Sequence, residues 1–212
     1  MIRLAYPARR IALMIGISKD SKDIRMDRLI VGITGASGTA LACHFIQQVK
    51  RFTDCEIHVV ASKSAQLTAH YEAPELFEDT LALADAVHDN ARIGESIASG
   101  TFKTRGMVII PCSMKTVAGI ASGYSDNLVL RAADVTLKEQ RPLVLVARET
   151  PMNYIHLRNL STLASLPSVS IMPPMMTYYH HPQTIEDMEN QLIGKIFDRF
   201  GFDYPPFERW NG

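Results

Sequence analysis

Cysteine is scarce in this chain: Cys43, Cys55 and Cys112 are all it has in 212 residues. An odd set with no close pair builds neither a disulfide framework nor a zinc ribbon. An excess of either charge is missing too, with 22 Lys plus Arg against 22 Asp plus Glu. That balance removes any global electrostatic case for nucleic acid or an anionic membrane and leaves room only for a local basic site. No apolar run approaches the ~18 residues of a membrane-spanning helix. Internal repeats and low-complexity tracts are absent. So are an HExxH pattern and the carboxylate spacing of a metal site, and no metal is expected.

What is present is ordinary for a soluble globular protein, with 47% hydrophobic and 21% charged residues. One domain of this size buries roughly 70% of the surface its unfolded chain exposes, so it needs no covalent staple. The start of the chain differs from the rest. Residues 1–26 carry Arg3, Arg9 and Arg10 and no acid before Asp20. A basic, acid-poor start has the look of a transit presequence, but serine occurs there only at Ser18 and Ser21. We therefore read 1–26 as an extension, or as lying upstream of a start at Met26, and 27–212 as the folded unit. The expected location is cytoplasmic, or mitochondrial if the extension serves as a presequence.

From Arg28 onward strands alternate with helices. Leu29–Ile33 is a continuous apolar run, as expected of a strand covered on both faces. Ala40–Val49 has helical spacing, Glu56–Ala61 reads as a strand and Ser62–Ala69 as a helix start. Met107–Ile110 is a strand stopped by Pro111. Met114–Ala121 and Asn127–Glu139 are helices, Leu143–Ala147 a strand, and Pro151–Leu166 a helix with proline in its first turn. Val169–Met172 is a strand and Thr184–Phe200 a long amphipathic helix. Residues 71–100 read as short helices and a surface loop. The pattern predicts a single α/β domain with a doubly wound parallel sheet.

Open parallel sheets bind ligands beyond the carboxyl ends of their strands, so chemistry is sought there. The first strand ends in Thr34-Gly35-Ala36-Ser37-Gly38. Glycines let backbone amides approach a ligand, and a helix N-terminus favours phosphate. Ser37 also suits the role of a helix cap. The loop is neither a Walker A motif, because no Lys follows, nor GxGxxG. Thr39 stands where a hydrolase elbow would need its last glycine. A dinucleotide site is disfavoured and a mononucleotide site stays open. Ser113, Lys115 and Thr116 form a second candidate anion or flavin contact. Cys112 reads as a small buried residue rather than a nucleophile. Arg131 and Lys138 lie two turns apart with Asp134 between them, either a surface salt-bridge row or a cationic wall for a phosphate. Arg148-Glu149 falls at a strand end. Tyr178-Tyr179-His180-His181-Pro182 is the most unusual composition.

Four segments in order then carry a resemblance. RLIVGITGASG from Arg28, MVIIPCSMKT from Met107, NLVLRAADVTLKEQRPLVLVARETP from Asn127 and YYHHPQ from Tyr178 resemble the UbiX/Pad family of flavin prenyltransferases. Members of that family have also been described as phenylacrylic or hydroxyarylic acid decarboxylases. The resemblance spans about 27–212, including the closing Arg209-Trp210.

The resemblance implies a flavodoxin-like fold that holds FMN without a covalent bond. It implies transfer of a dimethylallyl group from dimethylallyl monophosphate to N5 of reduced FMN. Ring closure at C6 then gives prenylated FMN for a UbiD/Fdc-type decarboxylase. It further implies a homododecamer with sites at subunit interfaces and no metal. Residue by residue, Gly35, Ala36, Ser37, Ser62, Ser113, Met114, Lys115, Thr116 and Arg148 match the flavin contacts. Ser37, Glu72 and Glu149 match the groups that handle protons. Arg131, Lys138, Tyr179 and Lys195 match the surroundings of the prenyl phosphate, with Lys195 standing where the family usually has Arg. The competing enzyme reading is an FMN-dependent decarboxylase acting directly on phenolic acids or peptidyl cysteine. The non-enzyme reading is an electron carrier or a scaffold subunit. A direct decarboxylase gives no reason to combine Arg131, Lys138, Tyr179 and Lys195, and a carrier would show a charged docking surface.

Overall fold

The computed structural model describes residues 27–210, so the extension expected over 1–26 lies outside the described residues. The apolar runs become strands β1 (Arg28–Ile33), β2 (Glu56–Ala61), β3 (Ala86–Asp89), β4 (Gly106–Cys112), β5 (Leu143–Ala147) and β6 (Val169–Ile171). Between and after them lie α1 (Thr39–Phe52), α2 (Lys63–Glu72), α3 (Pro74–Leu81), α4 (Met114–Ala121), α5 (Leu128–Lys138), α6 (Tyr154–Ala164) and α7 (Ile185–Phe200). All strand pairs are parallel, in the order β3-β2-β1-β4-β5-β6. Setting aside the short edge strand β3, the remaining five run in the flavodoxin order, and the winding reverses between β1 and β4.

Alternation within the strands builds two cores. Leu29, Val31 and Ile33 of β1, with Val108 and Ile110 of β4, pack on Phe45, Ile46 and Phe197 of α1 and α7. Ile30, Met107 and Ile109 point the other way, toward Val117, Leu128, Ala132 and Leu160 of α4, α5 and α6. Every residue of β4 and β5 is buried, which is why these strands read as continuous apolar runs rather than as alternating ones.

Three expectations change. Pro111 does not stop β4. The strand runs to Cys112, and the β4–β5 register shifts between Ile109 and Cys112, so the ladder steps past the residue that has no N–H. The helix expected from Pro151 begins at Tyr154. Asn153 accepts the His156 N–H at 2.9 Å and His156 answers onto the Asn153 backbone, a capping box that sets the start three residues past the proline. Within 71–100 there is a helix, α3, but also the strand β3, four residues long and half exposed, too short to show a period.

Candidate active site

The carboxyl ends of β1, β2, β4 and β5 surround an open cleft of about 300 Å³. Gly35, Ser62, Ser113, Met114, Lys115, Thr116 and Glu149, all expected from the sequence, line it. Thr34, Ser64, Asn90, Asn127, Val129 and Leu130 complete the wall.

Local chemistry explains why these side chains meet. Ser62 caps α2 by accepting the Ala65 N–H at 3.1 Å, and Ser113 caps α4 by accepting the Thr116 N–H at 3.4 Å. The first turns of two helices therefore face the cleft, with their unpaired N–H groups and positive dipole ends. Thr34 ties the two central strand ends together. Its hydroxyl donates to the Pro111 carbonyl at 2.9 Å and accepts the Ser113 N–H at 2.8 Å. Asn90 secures the third helix end: its carbonyl accepts the Leu128 N–H at 2.9 Å and its side-chain oxygen the Val129 N–H at 3.0 Å. Asn127 caps the same helix through Leu130.

The β1 loop is shaped by two neighbours. A Cβ at Gly35 would lie 2.3 Å from Ser64 Cβ, so only glycine lets the loop sit this close to α2. At the start of α1 the N-cap residue is Gly38, which has no side chain to offer. Glu72, from the end of α2, substitutes for it. One carboxylate oxygen accepts the N–H of Thr39 at 2.8 Å and of Gly38 at 3.1 Å. Burial works to raise the Glu72 pKa, but the Ser37 side chain and the two backbone donors outweigh it and hold the carboxyl below its ordinary value. Ser37 is thus the exposed partner of an ionised Glu72 and not a helix cap.

Other expected residues fall outside the cleft. Ala36 belongs to the same loop, and Arg148 stands exposed beside Glu149, whose carboxylate accepts the Thr150 N–H at 3.0 Å. Arg131 is paired with Asp134 at 2.6 Å, while Lys138 pairs with Glu139 at 2.5 Å rather than with Asp134. Seven residues separate the two cations, roughly 10 Å along the helix, and Lys138 is at the end remote from the cleft. Tyr179 is exposed, with its ring 5.8 Å from that of Trp210. The Lys195 ammonium lies 5.4 Å over the Phe207 ring. Cys112 is fully buried and burial alone pushes its thiol pKa up, which leaves it inert. Among the described residues no group of His, Cys, Asp or Glu is arranged to hold a metal ion.

Thr34, Ser64, Asn90 and Asn127 carry no motif that singles them out. The sequence puts Thr34 in the first strand-end loop and Asn127 at a helix start, but gives neither a role in the site. Asn90 had no such signal, because the strand that delivers it went unrecognised.

The Flavoprotein family pattern matches residues 17–197. A probable UbiX-like flavin prenyltransferase of Sedimentibacter hydroxybenzoicus is 49% identical over 185 residues, covering 87% of this chain and 97% of that protein. The chain belongs to the UbiX-like flavin prenyltransferase family. Flavin prenyltransferase UbiX of Escherichia coli strain K12 is 47% identical over 189 residues, covering 88% of this chain and all of that one. Among solved structures, a dodecameric FMN-dependent UbiX-like decarboxylase from Escherichia coli O157:H7 superposes with a TM-score of 0.84 at 46% identity, over 87% of this chain and 100% of its own. AnUbiX (PadA1), in complex with FMN and dimethylallyl pyrophosphate, superposes with a TM-score of 0.85 at 43% identity, over 89% and 99%. The peptidyl-cysteine decarboxylase EpiD shares only the fold, at 20% identity.

Proposed function

We propose that this chain is a flavin prenyltransferase joining a dimethylallyl group from dimethylallyl monophosphate to reduced FMN, at N5 and then C6. The observation that carries the reading is the cleft at the winding reversal. Two capped helix N-termini and a glycine loop face it for the flavin, and Glu149 stands on its wall, with Ser37 on the glycine loop partnered by Glu72 from the end of α2. The residues present suit FMN. Gly35 keeps the loop closed onto α2, and Ser62, Ser113, Met114, Lys115 and Thr116 supply polar contacts and helix-end N–H groups, with Ala36 and Ser37 next in the chain to Gly35 and Arg148 next to Glu149.

Reduced FMN, once bound, supplies the nucleophilic nitrogen. The protein's part is to hold, neutralise and move protons. Glu72 is kept ionised, so it serves as an acceptor and orients the Ser37 hydroxyl. Glu149 lies on the cleft wall and is the carboxylate we assign to proton transfer there. Arg131, Lys138, Tyr179 and Lys195 stabilise the charge that collects on the departing phosphate. In one chain the first pair lies on α5, whereas Tyr179 precedes α7 and Lys195 stands on it. We therefore take the α5 cations to serve the site of a second copy in a homo-oligomer. The prenylated flavin passes to a UbiD/Fdc-type decarboxylase. The folded unit is read as 27–212 and its location as cytoplasmic. Among the described residues no helix is long and apolar enough to cross a membrane.

Anaerobic incubation with reduced FMN and dimethylallyl monophosphate, followed by mass spectrometry of the extracted flavin, tests the reading. One added C5 unit is expected. Unmodified flavin, with release of carbon dioxide from an aromatic acid, would favour direct decarboxylation instead.

A further inference from the structure

We propose that the C-terminal segment after α7 is a strap that positions Lys195, through the ring of Phe207 and a clip between Arg209 and Asp198. The inference rests on the reading of Lys195 as a contact to the prenyl phosphate.

The strap is anchored at its start. Tyr204 is buried, its ring 4.5 Å from that of Phe197, and its hydroxyl donates to Asn190 on α7 at 2.6 Å. The Phe207 N–H then bonds the Tyr204 carbonyl at 3.1 Å, turning the chain back over α7. There Phe207 settles directly on Gly194. A Cβ at that position would lie 2.2 Å from Phe207 Cγ, so the helix carries a gap shaped for this ring.

The ring in turn faces two cations. Lys195 Nζ stands 5.4 Å from its centroid and the Arg209 guanidinium 4.9 Å. Asp198 is the anion near both: the Arg209 hydrogen bond first, and the charge of Lys195 last, hold its carboxyl below its ordinary value. Arg209 grips it with two nitrogens, at 3.0 and 2.5 Å, in the planar fork that guanidinium and carboxylate share. Asp198 follows Lys195 by three residues, hence on the same face one turn on. Beyond Arg209, Trp210 reaches the Tyr179 ring at 5.8 Å, so the strap spans from the helix of Lys195 to the segment of Tyr179.

Lysine is a point charge on a flexible stem, and holding it over one spot sacrifices rotamer freedom at the moment of binding. A ring beneath the ammonium and an aspartate beside it reduce that cost beforehand. Arg209 thus acts through Lys195 and is a positioning residue.

The test is a double-mutant cycle in the full chain with FMN bound. Steady-state kinetics are measured against dimethylallyl monophosphate, with FMN affinity measured alongside. Arg209 is exposed, so Arg209→Ala should fold. It should raise KM about fivefold, the upper range for an exposed ion pair, with kcat and FMN affinity nearly unchanged. Lys195→Ala should raise KM roughly tenfold or more. The combined variant should match Lys195→Ala alone, because Arg209 then has nothing left to position. If Lys195→Ala raises KM while Arg209→Ala does not, or if the two effects multiply, the strap proposal is wrong and the phosphate assignment stands. An unchanged KM in Lys195→Ala overturns both.

Discussion

Gly35→Ala should narrow the flavin cleft without removing a single polar group. The added methyl would start 2.3 Å from Ser64 Cβ and 3.2 Å from the Ser64 carbonyl carbon. Gly35 is not among the glycines with positive φ, so alanine meets no backbone strain there and the whole cost is contact. Ser64 Cβ belongs to the first turn of α2 and cannot rotate away, so loop and helix must part. Overpacking of this kind costs roughly 1–3 kcal/mol. Gly35 and Ser64 both line the cleft, so much of that cost should appear in ligand affinity. If all of it does, the FMN Kd rises about 5- to 150-fold. Flavin fluorescence titration measures the affinity, and urea unfolding shows any share taken by stability. Ser64→Gly removes the atom that is struck. Adding it to Gly35→Ala should recover most of the affinity, less up to about 1 kcal/mol for glycine in a helix. Unchanged affinity and stability in the single variant, or no recovery in the double, would refute the close-approach reasoning.

Glu72→Ala should lose the cap on α1 and about 1 kcal/mol of stability in urea unfolding, whereas Glu72→Gln should retain most of the stability yet slow prenylation. Equal stability in Glu72→Ala and the parent would show that the capping contact does no work. Glu149→Gln should keep FMN and slow the reaction by roughly 100- to 10,000-fold, as single-turnover kinetics would show; a rate within a factor of two of the parent removes Glu149 from proton handling. His58 is buried against His88, Nδ1 to Nε2 at 3.0 Å. Burial first, then the charges of His88 and Arg28, lower its pKa below 6.5 against the opposing pull of Glu56 and Asp85. Its folded state favours the neutral ring, so the stability it confers is complete above about pH 6.5 and lost as pH falls from there toward the lowered pKa. The loss can reach about 1.4 kcal/mol per pH unit, and His58→Gln should flatten that slope in urea melts between pH 7 and 5.

Much of the fold was legible because its signals are local. β4 and β5 are buried on both faces and had to be written as unbroken apolar runs, and caps such as Ser113, Asn127 and Thr184 mark helix starts within a few residues. β3 escaped because four half-exposed residues carry too little pattern, and with it went Asn90, which closes one wall of the cleft. Pro111 misled for a related reason. A proline stops a strand only where the ladder needs an N–H at that position, and here the ladder skips it.

The sequence by itself determined the alternation of strand and helix, the two-sided core, and the residues gathered at the strand ends. Each of these follows from apolar periodicity and from capping chemistry within a short stretch of chain. Only the tertiary structure decided that Glu72, 34 residues from Gly38, would cap a helix that cannot cap itself. Likewise it decided that Arg131 would pair with Asp134 and Lys138 with Glu139, and that Phe207 would rest on Gly194. The first and last of these are contacts between segments distant in sequence. Their geometry is set by how parallel strands bring loop ends to one edge, and no local pattern of residues encodes that distance.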